Sequence, residues 1–131
     1  MSAIYMTNTN VTNVPAGGQL TFDLNEQSGN VIVTSGNNAI LRKRGYYQII
    51  ATVTFTAADE GDVTINTQRN SVNIPGLTAT ETITTATTET RTITLQGIVK
   101  LNCCEPLAVL TLVNASEIAI TTTNVSLSVL Y

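Results

Sequence analysis

The chain has 131 residues, which is enough for one domain of ordinary size and too few for two. Charged residues make up only 11% of the composition, against about 25% in an average protein, and the net charge of −3 argues against a general binder of nucleic acids or anionic membranes. Because the chain has no His and no Trp, a Ser/His/Asp triad, an imidazole metal site and a histidine pH switch are all excluded.

Strand-like periodicity runs through the chain. Apolar and small polar residues alternate along four segments: Thr52–Thr56, Val63–Asn66, Thr92–Leu95 and Val125–Val129. This period of two is typical of strands with one buried face. Three further runs are apolar without alternation, apart from Thr111 in the last of them: Val31–Val33, Ile49–Ile50 and Leu107–Val113. These runs predict strands that bury both faces.

Turn signals rich in Gly, Pro, Asn and Asp divide these segments from one another. In chain order the predicted strands are 3–7, 19–24, 30–34, 38–42, 46–57, 62–68, 71–74, 79–84, 90–102, 107–113, 117–121 and 124–131. Short strands at this spacing indicate an all-β, antiparallel sandwich or jelly roll. Residues 1–131 are predicted to form one jelly-roll domain without a convincing amphipathic helix.

One long segment carries a family resemblance. Gly45–Phe55 resembles the central strand of the tumour necrosis factor (TNF) and complement 1q globular-head superfamily, in which Gly-x-Tyr opens a long inner strand. Upstream, Val31–Leu41 and the turn 42–44 resemble the two short strands before that signature, and 106–131 resembles the last strands of the family. The resemblance implies a TNF-like jelly roll of about ten strands in a compact homotrimer, with recognition through exposed loops.

The same resemblance implies where the subunits meet. Aromatic rings often line the trimer axis of that family, and the rings available here to pack there are Tyr46, Tyr47, Phe55 and Tyr131. Where many members carry Gly-Asp before a penultimate strand, this chain has Asn102–Pro106, so a binding role tied to that turn has no support. Independently, strands that are apolar on both faces need two covers, and one sandwich offers a single core. Neighbours in a closed three-fold ring would supply the second cover.

Acidic residues cluster tightly at one place, Asp59, Glu60 and Asp62. Their oxygens, with nearby carbonyl groups, could hold a Ca²⁺ ion. A solvated hairpin tip is the favoured interpretation, because the loop lacks the twelve-residue ligand pattern of an EF-hand. We therefore expect no cofactor, with Ca²⁺ as the alternative, and no enzymatic activity.

Basic residues cluster only at Arg42, Lys43 and Arg44. They could contact a phosphate, a sulfated glycan or an acidic partner, and the alternative is a solvated turn.

The two cysteines, Cys103 and Cys104, are adjacent. Neighbours on an extended chain point to opposite faces, so a bridge between them would need a strained turn. They are interpreted as small buried hydrophobes, with a disulfide between chains as the alternative.

Together these features favour a non-enzymatic, trimeric surface module with a structural or receptor-recognition role. A phage virion component, such as a head fibre, decoration protein or appendage, fits best, because residues 1–8 lack the features of a secretory signal peptide and virion proteins assemble in the cytoplasm before lysis. Alternatives are the head domain of a bacterial spore-surface or collagen-like protein, a carbohydrate-binding module using Tyr5, Tyr46 or Tyr47, and a cytokine-like secreted ligand. Neither a nucleic-acid partner nor membrane insertion is expected, since no apolar run approaches the ~20 residues that span a bilayer.

Overall fold

The computed structural model describes residues 2–105 and 107–131. These residues contain eleven strands. In chain order they are β1 (Ala3–Asn8), β2 (Thr12–Val14), β3 (Leu24–Ser28), β4 (Ile32–Ser35), β5 (Asn38–Leu41), β6 (Gly45–Ala57), β7 (Gly61–Arg69), β8 (Val72–Ile83), β9 (Thr90–Leu101), β10 (Ala108–Asn114) and β11 (Ile120–Leu130). Within those described ranges, no helix has the length and apolar character needed to cross a bilayer.

The strands form two antiparallel sheets. Sheet A has the order β3-β1-β11-β6-β9, and β2 also pairs with β11, beyond the stretch that β1 occupies. Sheet B has the order β4-β5-β10-β7-β8. Neighbours within a sheet are mostly distant in sequence, as in β1 with β11 and β5 with β10. The prediction of an all-β, antiparallel jelly-roll sandwich is confirmed.

Strand β6 shows how the period of two builds the core between the sheets. Its inward side chains have no exposed surface: Tyr47, Ile49, Ala51, Val53 and Phe55. Strands β10 and β11 contribute in the same way, with buried residues at every second position over most of their length. Each large apolar side chain buried in this way contributes about 1.5–3 kcal/mol relative to the same side chain left exposed.

Two pairs of predicted strands are single strands in the structure. The segments 71–74 and 79–84 join as β8, which contains Pro75 and Gly76. Because β8 is an edge strand, a proline without an N–H is tolerated there, and the pairing with β7 shifts register at this point. Likewise 117–121 and 124–131 largely merge into β11, which keeps pairing with β6 through an irregularity between Thr122 and Asn124.

The region between β1 and β3 is where the strand prediction is wrong. Residues 19–24 are predicted as a strand, but apart from a single bridge from Gln19 to Val113 no ladder forms before β3 begins at Leu24. Leu20 and Phe22 are nevertheless buried, so the alternating pattern marks side chains that fill the core from a loop. The short strand β2 is not in the prediction at all.

Candidate functional site

The outward face of sheet A carries apolar side chains that no other element of the described chain covers. Tyr5, Ser128, Ile50 and Gln96 are register partners across β1, β11, β6 and β9, so their side chains lie side by side on this face. Tyr5 is 48% exposed and Ile50 is 37% exposed. A shallow depression of about 440 Å³ lies beside Tyr5 and Ser128.

A second row lies next to the first, toward the end of the sandwich that holds Tyr131. In this row Leu130, Gln48 and Ile98 are register partners. Two residues before Gln48 on the same face of β6 lies Tyr46, whose partner on β9 is Lys100. Ile98 is 69% exposed and Tyr46 is 63% exposed, and a depression of about 390 Å³ is lined by both. The Lys100 ammonium lies 5.5 Å from the centre of the Tyr46 ring, which is a cation–π distance.

We call these exposed residues of sheet A the apolar patch, and its members are Tyr5, Tyr46, Ile50, Ile98 and Leu130. Farther along the same face the outward residues become hydroxyl side chains, and Thr54 and Thr92 join their Oγ1 atoms at 3.0 Å. The apolar patch is therefore local to one half of the sheet.

The basic turn 42–44 is exposed, and two tyrosines fix its backbone. The Tyr47 hydroxyl donates to the Lys43 carbonyl and accepts from the Lys43 N–H at 3.2 Å. The Tyr131 hydroxyl donates to the Arg44 carbonyl at 2.9 Å. Burial raises the pKa of Tyr47, against the opposing effect of its hydrogen bond to Lys43, so the hydroxyl keeps its proton and remains a donor.

Gly45 explains why a Gly-x-Tyr sequence opens β6. Its φ is +141°, and a Cβ added there would lie 2.6 Å from a ring carbon of Tyr131. The Tyr131 ring in turn packs on Tyr47, with 5.0 Å between the ring centres. A residue without a side chain is therefore needed at 45 so that the C-terminal tyrosine can reach the turn.

Charges are divided between the two ends of the sandwich. Gly45 pairs with Leu101 and Leu41 pairs with Ala108, so the turns around them share one end, which we call the basic end. Five of the six basic residues lie at or near it: Arg42, Lys43, Arg44, Arg69 and Lys100. The opposite, acidic end holds six of the nine acidic residues: Asp59, Glu60, Asp62, Glu81, Glu89 and Glu117. A chain of net charge −3 is thus strongly asymmetric.

The predicted acidic cluster lies at the hairpin between β6 and β7. Asp59 and Glu60 are exposed, while Asp62 accepts a hydrogen bond from the Thr82 hydroxyl at 2.7 Å. Across residues 2–105 and 107–131, no three His, Cys, Asp or Glu side chains come together as a group that could hold a metal ion. The calcium alternative at Asp59, Glu60 and Asp62 therefore stays a prediction, to which the arrangement of these side chains adds no support.

Two of the four residues assigned to trimer packing need correction. Tyr47 and Phe55 have no exposed surface, because the inward positions of β6 lie between the chain's own two sheets. A second subunit cannot reach these rings. Tyr46 is exposed and Tyr131 is partly exposed, so for them the assignment stays a prediction. Sequence reasoning missed Ile50, Ile98 and Leu130 as surface residues, although each is adjacent to a buried apolar residue.

The interpretation of the cysteines as buried hydrophobes is wrong. Cys103 and Cys104 are both exposed, because they occupy a turn after β9 and not a strand.

The fold is that of a TNF-like jelly roll, and comparison with solved structures agrees. The globular domain of zebrafish complement 1qA is similar over 98% of this chain and 94% of its own, with a TM-score of 0.66 and 9% identity. Murine APRIL is similar over 98% of both chains, with a TM-score of 0.67 and 11% identity. The PRD1 vertex protein P5 is similar over 97% of this chain and 95% of its own, with a TM-score of 0.57 and 18% identity. No family model and no curated protein matches the sequence.

Proposed function

We propose that the chain is a non-enzymatic, homotrimeric surface module in which neighbouring copies cover the apolar patch. The observation that supports this is the patch itself, five exposed apolar side chains gathered on one half of sheet A. Contiguous apolar patches of this kind usually mark interaction sites on soluble domains. The TNF-like resemblance points to a second and a third copy as the cover.

The arrangement at the edge of sheet A suits a closed ring. Ile98 lies on the edge strand β9, and the neighbouring edge strand β8 exposes Val72 at 68%. Together they border a groove of about 280 Å³ that also contains Pro75. In a three-fold ring each subunit presents a second surface to the patch of the next, and we propose that the exposed part of β8 around Val72, which lies outside the patch, is that second surface.

A matched pair of substitutions tests this oligomer. Ile98→Asp places a charge in the patch at a side chain that is 69% exposed, and Val11→Asp does the same at 76% exposure in the β1–β2 loop. We expect light scattering to give three chains for the unmodified protein and for Val11→Asp, and one folded chain for Ile98→Asp. Equal masses for all three proteins would contradict the proposed interface.

As to role, the module is proposed to be part of a phage virion, as a head fibre, decoration protein or appendage. Its surface is rich in Thr and Asn and poor in charge, and the similarity to a vertex protein of PRD1 supports this role at the level of the fold. The basic end would then contact an anionic partner, such as a sulfated glycan or an acidic protein. The tyrosines support that contact, because they hold the turn 42–44 in one conformation.

Heparin chromatography tests the basic end. The variant with Arg42→Gln, Lys43→Gln and Arg44→Gln is expected to elute at lower salt than the unmodified chain, because ionic contacts to a polyanion weaken with each charge removed. Arg91→Gln is the control, since Arg91 lies at the acidic end and pairs with Glu89 at 2.6 Å. If the unmodified chain is not retained, or if the triple variant elutes with it, the assignment of this end fails.

A further inference from the structure

The exposed turn after β9 brings two thiols into contact. Cys103 Sγ and Cys104 Sγ are 3.1 Å apart. The Glu105 N–H donates to the Asn102 carbonyl at 3.4 Å, and Cys104 has a φ of +68°, which are features of a type II β-turn. On an extended strand the two side chains would point to opposite faces, whereas this turn places both sulfurs on one side.

The turn is held from outside the sulfur pair. The Glu105 carboxylate accepts hydrogen bonds from the Asn102 N–H at 2.8 Å and from Asn102 Nδ2 at 2.9 Å, and it pairs with Arg69 Nη2 at 2.7 Å. The hydrogen bonds from Asn102 and Arg69 lower the pKa of Glu105 to about 2, so the carboxylate stays charged at neutral pH. The contacts of Glu105 with Asn102 and Arg69 thus fix the turn that brings the two thiols together.

We propose that Cys103 and Cys104 form a redox-active dithiol, which low-molecular-weight disulfides oxidise to an intrachain disulfide. The Cys103 thiolate attacks a disulfide RSSR, forming a mixed disulfide and releasing RS⁻. The Cys104 thiolate then attacks Cys103 Sγ and releases the second RS⁻. The protein loses two protons and two electrons, and RSSR is reduced to two thiols.

The second step is favoured by proximity, because the attacking sulfur already touches its target. In the reduced protein the hydrogen bond with Cys103 raises the pKa of the Cys104 thiol. Because only a thiolate attacks a disulfide, ring closure is expected to speed up as pH rises. Adjacent Cα atoms are about 3.8 Å apart, less than the roughly 4.4–6.8 Å usual for a disulfide. The closed ring is therefore strained, and excess monothiol should reopen it.

Intact mass measurement after treatment with oxidised glutathione tests the proposal on the full chain. We expect the unmodified protein to lose two hydrogen atoms, to carry no glutathione, to resist alkylation by iodoacetamide, and to run as a single chain on a non-reducing denaturing gel. Cys103→Ser and Cys104→Ser should each retain one glutathione, because no second thiol can displace it. We expect circular dichroism to show the same strand content for both variants and the unmodified protein.

Several results would overturn the proposal. One is an unmodified protein that still has two alkylatable thiols after oxidation, and another is one that keeps two glutathiones. Disulfide-linked chains on the denaturing gel would show instead that the cysteines bridge subunits. Phenylarsine oxide offers an independent readout, because it is expected to bind the unmodified dithiol tightly and each serine variant weakly, and equal binding would count against the pair.

Discussion

The two faces of strand β6 differ in what they do with similar side chains. On the inward face, five successive alternate residues from Tyr47 to Phe55 have no exposed surface. On the outward face, Tyr46 and Ile50 remain 63% and 37% exposed, and threonines follow them. The pleat therefore decides which apolar side chains of β6 enter the chain's own core and which stay on its surface, where the proposed trimer would cover them.

The largest loss of stability is expected from a charged substitution on the inward face of β6. Phe55→Asp would bury an unpaired carboxylate, which costs at least about 4 kcal/mol and is expected to abolish folding. Thr54→Asp is the control on the adjacent outward position, where the side chain reaches the surface. Thermal unfolding followed by circular dichroism should show a cooperative transition for the control alone. A Phe55→Asp protein that melts normally would show that the inner face of β6 is misassigned.

A smaller effect is expected at the start of the same strand. Gly45→Ala would impose a strained φ and push a methyl group into the Tyr131 ring, so we expect a loss of about 1–3 kcal/mol in unfolding free energy. Gly36→Ala is the matched control, because Gly36 also has a positive φ but a Cβ there meets no atom within 4 Å. Because φ is +60° at Gly36 and +141° at Gly45, urea denaturation of the two variants compares an ordinary left-handed position with one that has both a more strained φ and a steric clash, and we expect the larger loss at Gly45. Equal losses would mean that neither the φ of Gly45 nor its contact with Tyr131 matters for stability.

The smallest change in stability is expected when the pH is lowered. Hydrogen bonds from Thr84 and Arg91 lower the pKa of Glu89 to about 2. Hydrogen bonds from Asn102 and Arg69 likewise lower the pKa of Glu105 to about 2. Because the unfolded-state pKa is about 4.3, these carboxylates stabilise the fold fully above that value and lose their contribution as pH falls toward 2.

Urea denaturation at about pH 6 and about pH 3 measures that loss. Glu89→Gln and Glu105→Gln should each reduce the difference in stability between the two conditions. Glu60→Gln, at the exposed β6–β7 hairpin, should leave the difference as it is in the unmodified chain. If all three variants behave alike, the two hydrogen-bonded carboxylates are not the groups responsible.

Much of the fold follows from the sequence because the period of two is strong along parts of β6, β7, β9 and β11, and because the apolar run 107–113 marks β10. The apolar patch also has a sequence signal, since Tyr46, Ile50, Ile98 and Leu130 each form a doublet with a buried apolar neighbour. A doublet on a strand must place one side chain on each face. From the sequence, the run Ile49–Ile50 is predicted to bury both faces without identifying Ile50 as the exposed residue, and both tyrosines at 46–47 are assigned to the subunit interface.

Other features depend on contacts between distant residues, which a single sequence does not reveal. Residues 45 and 131 are far apart in the chain, so the fit of the Tyr131 ring over Gly45 is visible only in the folded structure. The same holds for Glu105, which fixes the cysteine turn through Arg69 on another strand. The pattern at 19–24 misleads because Leu20 and Phe22 fill the core without strand pairing.

The mass of the unmodified chain in solution tests the central claim most directly. We propose that neighbouring copies cover the apolar patch, so sedimentation equilibrium at micromolar concentration should give three times the 13.9 kDa of a single chain. A mass of one chain, with the patch open to water, would contradict the account.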